Sequence, residues 1–201
     1  MVKKKKNKKG NWEDHYTRKA KKDNFPARSV YKLQEIQKKF KIIKKGYKIL
    51  DLGCSPGSWL KYAAELTTLS GLAYGIDLKE VTEKMPDHAK TFVCDILDYD
   101  NDLNKKIGTD FDIILSDMAP STTGRKDIDA ARSYNLCEMA LTVSNERLKA
   151  GGHFVCKIFQ GREFEEFVIL VKKCFKSYKI FKPESCRKQS KEIYIIGLDK
   201  I

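Results

Sequence analysis

Hydrophobic and polar positions alternate with two different periods along the chain. Apolar residues recur at helical spacing between positions 26 and 40, where Val30, Leu33 and Ile36 predict one buried helix face. Short apolar runs typical of strands follow. The predicted strands are residues 47–53, 72–78, 91–96, 111–117, 153–159, 178–182 and 192–198. Segment 111–117 is almost entirely apolar, which predicts a strand buried on both faces.

Helix-like segments separate most of these strands. They are residues 58–69, 127–152 and 162–175, and we expect the second to end at Gly151 and Gly152. Alternating strands and helices, with no internal repeat, favour a single doubly wound α/β domain. We therefore predict a mainly parallel seven-stranded sheet with helices on both faces.

The last two predicted strands are joined without a helix. Their nine-residue link, "PESCRKQSK", suits an antiparallel neighbour better than a parallel crossover. Ligands of such sheets bind at the C-terminal edge of the parallel strands. An antiparallel final strand begins at that edge, so its first residue, Glu192, is expected on the ligand side.

Charge points to a polyanionic partner. The chain has 201 residues, is 41% hydrophobic and carries a net charge of +13, which favours a folded protein that binds nucleic acid. Six lysines fall in residues 1–10, "MVKKKKNKKG", which predict a disordered basic tail before a domain spanning residues 11–201.

Several protein classes are disfavoured by composition. No run of 18 apolar residues predicts a membrane helix, and no apolar segment follows the lysines as a secretory signal would require. The six cysteines form no C-x-x-C pair, so we predict no metal site and reduced thiols in an intracellular, most simply cytoplasmic, protein. A mitochondrial or nucleolar location stays open.

The stretch "DLGCSPGSW", residues 51–59, lies at a predicted strand-to-helix turn. Gly53 and Gly57 are spaced G-x-x-x-G, which departs from the dinucleotide fingerprint and suits an adenosine ligand without a pyrophosphate. Asp77 ends the next strand, where a carboxylate can accept both ribose hydroxyls. Asp95 ends the third strand and could receive an adenine amino group.

Charged side chains occur at four positions that could carry chemistry. Lys157 interrupts the apolar strand "HFVCKIF", where an unpaired buried ammonium is costly, so it needs a carboxylate partner or a function. Lys32 lies off the apolar stripe of its helix and, taken alone, predicts a solvated lysine. Taken alone, Asp117 at the end of a buried strand is typical of a cap, and Glu192 is typical of a cross-strand partner for a surface lysine.

Five motifs in order give the chain a resemblance to a known family. They are "ARSVYKL", "DLGCSPGSW", "SDMAP", "FVCKIFQG" and "SCRKQSKEIYII", and the match covers roughly residues 11–200. The chain resembles the FtsJ/RrmJ family of RNA ribose 2′-O-methyltransferases. The resemblance implies S-adenosylmethionine as cofactor, a catalytic tetrad of Lys32, Asp117, Lys157 and Glu192, and cofactor contacts at Gly57, Trp59, Asp77, Asp95 and Asp117. Cys54 and Ser58 depart from the family pattern but are small.

The resemblance also suggests roles for the tetrad. Lys157 would act as the base or direct the oxyanion, Asp117 would orient it, and Lys32 and Glu192 would position the ribose. Burial and a second lysine lower a lysine pKa, whereas nearby carboxylates raise it. No metal is required. A cysteine nucleophile after the fourth strand is absent, because "DMAPST" offers serine there.

The expected partner is RNA, most simply ribosomal RNA or a ribosomal particle, with no obligate protein partner evident. Basic residues cluster before two tetrad members, within 18–28 and 187–191, and predict a phosphate-binding rim. Two alternatives stay open: the same chemistry on a tRNA anticodon loop, and a non-catalytic RNA-binding protein on this fold.

Overall fold

The computed structural model describes residues 15–96, 101–187 and 189–201, so the predicted tail at 1–10 lies outside the described residues. The helices are α1 (His15–Lys22), α2 (Val30–Phe40), α3 (Ser58–Thr67), α4 (Asn101–Ile107), α5 (Lys126–Arg147) and α6 (Phe164–Cys174). The strands are β1 (Lys48–Leu52), β2 (Leu72–Asp77), β3 (Ala89–Val93), β4 (Phe111–Ser116), β5 (Leu148–Phe159), β6 (Phe175–Phe181) and β7 (Glu192–Lys200).

The strands form one seven-stranded sheet in the order β3-β2-β1-β4-β5-β7-β6. Strands β1 to β5 pair in parallel, whereas β7 lies between β5 and β6 and is antiparallel to both. The predicted fold class is therefore confirmed, including the antiparallel final strand. The helix-free link between β6 and β7 is the feature of the sequence that indicated it.

Both faces of the central strands are buried, as the apolar run at 111–117 predicts. Successive side chains of a strand point to opposite faces, and β4 shows this clearly. Ile114 packs with residues of α5 and α6 on one face, while Ile113 and Leu115 pack with α2 and α3 on the other. These two apolar layers fix the sheet between its helices and hold its C-terminal edge in place.

The long helix ends earlier than predicted. Helix α5 stops at Arg147, and β5 begins at Leu148 instead of residue 153. Leu148 is buried and pairs with Phe111, so strand pairing and burial override the helical pattern there. Gly151, with φ +75, lies in the irregular part of β5 and does not stop the helix.

Two short helices were not predicted from the sequence. Helix α1 buries only Ala20, so its pattern has no apolar face to recognise. Helix α4 has seven residues, with Leu103 and Ile107 buried against the core. Neither changes the topology of the sheet.

The described ranges contain neither a membrane-spanning helix nor a cluster of metal ligands. No helix within them is both long and apolar enough to span a bilayer. Nor does this part of the chain hold three or more His, Cys, Asp or Glu side chains grouped to bind a metal ion. The predicted localisation and the domain limits stay predictions.

Candidate active site

The candidate site lies where the parallel strands end. Strand pairing aligns Ser116 with Cys156, which puts Asp117, just after β4, beside Lys157 in β5. Glu192, the first residue of β7, pairs with Phe159 at the end of β5. The expectation that Glu192 lies at the ligand edge is therefore correct.

The four predicted tetrad residues meet at this edge. Lys157 Nζ lies 3.0 Å from Asp117 Oδ1 and donates a hydrogen bond to the main-chain carbonyl of Asp117 at 2.5 Å. Lys32 Nζ lies 3.0 Å from Glu192 Oε2 and 3.9 Å from Asp117 Oδ1. Asp117 is thus the shared partner of both lysines, and two positive charges are balanced by two negative ones.

The charged groups of this cluster are stabilised by one another rather than by water. Burial opposes the negative charge of Asp117, but the ammonium groups of Lys157 and Lys32 and a tyrosine hydroxyl outweigh it and lower the pKa of that carboxyl. Burial likewise opposes the charge of Lys32, yet Asp117 and Glu192 outweigh it and raise the pKa of the amine. At Lys32, the two carboxylates thus have a larger effect on the pKa than burial does.

Lys32 is not the solvated lysine that its helical position alone predicts. Its residue is only 9% exposed, and its amine donates a hydrogen bond to Glu192 at the start of β7. The helical pattern describes which face of α2 meets the apolar core. It contains no information on a polar partner 160 residues away along the chain.

Tyr194 belongs to the cluster and was missed by the sequence reasoning. Its hydroxyl donates to Asp117 Oδ1 at 2.6 Å, and its ring is fully buried. Burial, followed by the charges of Asp117 and Glu192, raises the pKa of Tyr194 well above its usual value, so the hydroxyl keeps its proton. In "EIYIIGL" this tyrosine resembles one more apolar strand residue. The available signal was its position two residues after Glu192.

Trp59 packs against the ring of Tyr194. The two rings stack with centroids 5.7 Å apart, and the Trp59 indole N–H donates to the carbonyl of Ser29 at 2.8 Å. Trp59 also lines a small cavity of about 40 Å³ together with Gly53 and Asp117. The side chain thus has a packing role in the structure, and its cofactor contact stays a prediction.

A larger cleft of about 620 Å³ opens beside the tetrad. Asp117 is common to the cleft and the tetrad, so whatever the cleft binds lies next to the lysines. Three more of the predicted cofactor residues line it, namely Gly53, Asp77 and Asp95. Apolar side chains complete the wall, among them Ile76, Ile96, Leu136 and Met139.

The glycine turn is shaped by close contacts. At Gly53, with φ +75, an added Cβ would lie 2.4 Å from the side chain of Met118. At Gly57, with φ +108, it would lie 2.4 Å from the side chain of Met85. Gly53 therefore keeps Met118 of the cleft wall close to the turn. Gly57 lines neither the cleft nor the small cavity, and its close neighbours are Met85 and Val81.

Asp77 is fixed by the turn that it faces. Its carboxylate accepts hydrogen bonds from the main-chain N–H groups of Ser55 at 2.9 Å and Lys79 at 2.8 Å. Each oxygen keeps a further lone pair. A carboxylate held in this way at a strand end is ready to accept two hydroxyl groups of a ligand.

Asp51 is a second residue that the sequence reasoning passed over. It lies in β1, is 1% exposed, and neither carboxyl oxygen forms a hydrogen bond with the described residues. Burial, then the charges of Asp117 and Asp77, raise its pKa well above the usual value, although the nearby N–H of Leu60 acts in the opposite direction. Asp51 is thus a buried carboxyl beneath the glycine turn whose oxygens form no hydrogen bond of good geometry with the described residues.

The arrangement can hold a hydroxyl group next to the cleft and influence its proton. Asp117 fixes the Lys157 ammonium by two contacts, which leaves one of its three N–H bonds for another acceptor. Lys32 adds a permanent positive charge on the other side. Such a pair can stabilise an oxygen that becomes negative as it reacts.

Comparison with known proteins agrees with this geometry. The profile of the family described as FtsJ-like methyltransferase matches residues 25–200. A protein of Desulforapulum autotrophicum named ribosomal RNA large subunit methyltransferase E is 62% identical over 193 residues, covering 96% of this chain and 95% of that protein. A protein of the same name from Desulfatibacillum aliphaticivorans is 53% identical over 199 residues, covering 99% and 96%.

A solved structure gives the same result for the fold. The crystal structure of a ribosomal RNA methyltransferase from Plasmodium falciparum superposes with a TM-score of 0.75 at 28% identity, covering 88% of this chain and 98% of that one. The sheet order, the composition of its C-terminal edge and the profile match over nearly the whole domain agree with one another. The chain belongs to the FtsJ-like methyltransferase family and is a methyltransferase.

Proposed function

We propose that this protein transfers a methyl group from S-adenosylmethionine to the 2′-hydroxyl of one ribose in large-subunit ribosomal RNA. The observation that carries the proposal is the contact of Lys157 with Asp117, whose carboxylate also lines the 620 Å³ cleft.

The cleft fits the proposed methyl donor in size and in charge. Its volume lies within the range of about 300–1,000 Å³ usual for small-molecule sites. The carboxyl groups of Asp77, Asp95 and Asp117 line the cleft. S-adenosylmethionine brings a cationic sulfur and an amino group, which such a wall would stabilise. Asp77 and Asp95 are proposed to bind the ribose and the adenine.

The tetrad residues would act on the acceptor. When bound, S-adenosylmethionine supplies a methyl group on a positively charged sulfur, and the ribose oxygen displaces that sulfur and loses its own proton. Lys157 would direct its remaining N–H at this oxygen or, in its amine form, take the proton. Asp117 would hold Lys157 in line with the cleft, and positioning of this kind contributes several kcal/mol in well-ordered sites.

Lys32 is proposed to act as a cation and not as the base. Its pKa is raised by Asp117 and Glu192, so the amine stays protonated where the enzyme works. A fixed positive charge near the ribose stabilises the developing oxyanion without a proton transfer. Glu192 would hold Lys32 in place and orient the ribose.

Ribosomal RNA is the favoured acceptor because two relatives that share more than half of their residues with this chain carry that substrate in their names. The net charge of +13 suits a phosphate-rich particle. The test is methyl transfer from radiolabelled S-adenosylmethionine to purified large ribosomal subunits that lack the modification, with tRNA as the comparison. The proposal requires incorporation into large-subunit RNA at one ribose, mapped by resistance of the next phosphodiester to alkali. Label in tRNA alone, or on a base, would contradict it.

A further inference from the structure

Three charged residues on one side of α2 and the turn before it contact the same partner. Arg28, Lys32 and Glu35 are separated by four and three positions, the spacing that brings helical side chains onto one face. All three reach the segment that connects β6 with β7, which we call the β6–β7 loop (residues 182–191), or the first residue after it. Lys32 binds Glu192, and the Arg28 guanidinium donates to the carbonyl of Ser185.

Glu35 makes the contact that the proposed chemistry does not use. Its two carboxylate oxygens accept hydrogen bonds from successive main-chain N–H groups, those of Glu184 at 2.6 Å and Ser185 at 2.9 Å. Hydrogen bonds to an ionised acceptor are about twice as strong as neutral ones. The Arg28 guanidinium donates to the carbonyl of Ser185. Side chains of α2 and of the turn before it therefore bind both N–H and carbonyl groups of this loop backbone.

Hydrogen bonds also link described residues that follow this backbone segment to the tetrad. Within the loop, Ser190 N–H bonds the carbonyl of Arg187 at 2.9 Å, and Ser190 Oγ accepts from the N–H of Glu192 at 3.1 Å. Lys191 continues the ladder, since its carbonyl accepts from the N–H of Gln160 at 3.0 Å. A shift at Ser185 would therefore move both the basic residues of the loop and the first residue of β7.

We propose that Glu35 is a positioning residue for the RNA substrate. It sets the β6–β7 loop so that Arg187 and Lys191 face the phosphates beside the target ribose while Glu192 keeps its contact with Lys32. This inference rests on the proposed function, because it assumes that RNA is the acceptor. It assigns no direct contact between Glu35 and the substrate.

The experiment compares Glu35→Gln with Glu65→Gln, a matched change at an exposed glutamate of α3. An amide offers one acceptor oxygen, and its NH₂ group would face the second loop N–H. We expect the dissociation constant for unmethylated large ribosomal subunits to rise roughly tenfold in Glu35→Gln, as the loss of one charge-assisted hydrogen bond implies. Affinity for S-adenosylmethionine should stay close to the wild-type value. Glu65→Gln should change nothing.

A double-mutant cycle with Arg187→Ala separates positioning from simple folding. If Glu35 acts through the loop, its effect on RNA binding should largely disappear once Arg187 is removed. Hydrogen exchange at the amides of residues 184 and 185 should be faster in Glu35→Gln without RNA. Glu35→Asp, which keeps the charge but is shorter, should lie between the wild type and Glu35→Gln.

Three outcomes would overturn the inference. They are unchanged RNA affinity in Glu35→Gln, independent effects in the cycle, and a parallel loss of S-adenosylmethionine affinity. Failure of the proposed function looks different, because the wild-type protein itself would then bind the subunits without transferring methyl groups. A wild-type protein that does not bind them would end both proposals.

Discussion

Asp117 and Asp51 belong to neighbouring strands of one sheet edge, and burial affects them in opposite directions. Asp117 has two lysines and a tyrosine around it, which lower the pKa of the carboxyl and keep it ionised. Asp51 has no hydrogen-bond partner among the described residues, and burial raises its pKa. We call Lys32, Asp117, Lys157, Glu192 and Tyr194 the tetrad half of the edge. Each charge in it already has a partner of opposite charge. The glycine-turn half, which contains Asp51 and Asp77, keeps a buried carboxyl with no hydrogen bond to the described residues.

This difference suggests how a methyltransferase can keep its acceptor chemistry rigid and its donor exchangeable. Charged groups that are already paired and oriented need little reorganisation when the substrate binds. A cleft lined by the carboxyl groups of Asp77, Asp95 and Asp117 gains on binding a cationic donor. It gains less with the neutral thioether left after transfer, which would favour release of the product.

The largest expected effect tests the tetrad half. Lys157→Ala should lower the rate of methyl transfer by roughly 10²–10⁴-fold, the usual contribution of a positioned acid or base. S-adenosylmethionine affinity, measured by calorimetry, should remain, because the glycine-turn half does not depend on Lys157. Lys173→Ala, at an exposed position of α6, is the matched control. A purified Lys157→Ala protein with wild-type turnover would refute the role of Lys157.

The next effect tests the glycine-turn half. Asp77→Ala should weaken S-adenosylmethionine binding by roughly 1.5–3 kcal/mol, the value of hydrogen bonds to a charged group. Calorimetry with S-adenosylmethionine and with NAD measures it, and Asp87→Ala at an exposed position serves as control. Affinity that survives the Asp77 change, or tighter binding of NAD, would mean that the donor is wrongly placed or wrongly identified.

A smaller effect concerns the tyrosine that completes the tetrad half. A lowered carboxyl pKa stabilises the folded state above the unfolded pKa of about 4, and this contribution is lost as pH falls through the lower folded pKa. Tyr194→Phe removes one cause of the lowering at Asp117. We expect roughly 1.5 kcal/mol less stability at neutral pH, with the difference shrinking in acid. Urea unfolding at several pH values checks this against Tyr178→Phe; a difference independent of pH would contradict it.

The last test sharpens the contrast at Asp51. A raised carboxyl pKa stabilises the folded state in acid, and stability is lost as pH rises above the unfolded value of about 4. Asp51→Asn cannot titrate, so without ligand it should gain stability relative to the wild type as pH rises from 4 toward 7. Each pKa unit removed corresponds to about 1.4 kcal/mol.

The measurement is the free energy of urea unfolding against pH, with Asp87→Asn as control. Parallel curves for wild type and Asp51→Asn would show that the buried carboxyl titrates normally. The comparison between the two halves would then fail at its starting point.

The topology could be predicted from the sequence because the topology depends on local signals. Strand runs, helix periods and a helix-free link are readable over a few residues, and together they located Glu192 at the correct edge. The boundary at Leu148 was missed because a partner strand, and not local propensity, decides it. For the site, the family resemblance supplied the tetrad, but the burial of Lys32 depends on contacts with Asp117 and Glu192, which are distant in the chain.

The residues missed in the site share one property. Tyr194, Asp51 and Glu35 are each ordinary in their local context: an aromatic strand residue, a strand-end carboxylate and a helical glutamate. Each acquires its role from a partner, or the lack of one, that is distant in the chain. Pattern reasoning has no access to such pairings, whereas the three-dimensional arrangement shows them directly.

The position of β7 has a consequence for the timing of activity in the cell. This strand is the seventh along the chain, yet it occupies an interior place in the sheet and carries both Glu192 and Tyr194. During synthesis the glycine turn, Asp77 and both lysines emerge first and can form most of the donor cleft. The acid that binds Lys32 and the hydroxyl that binds Asp117 arrive only afterwards. A nascent chain without β7 therefore lacks both side chains that complete the tetrad half.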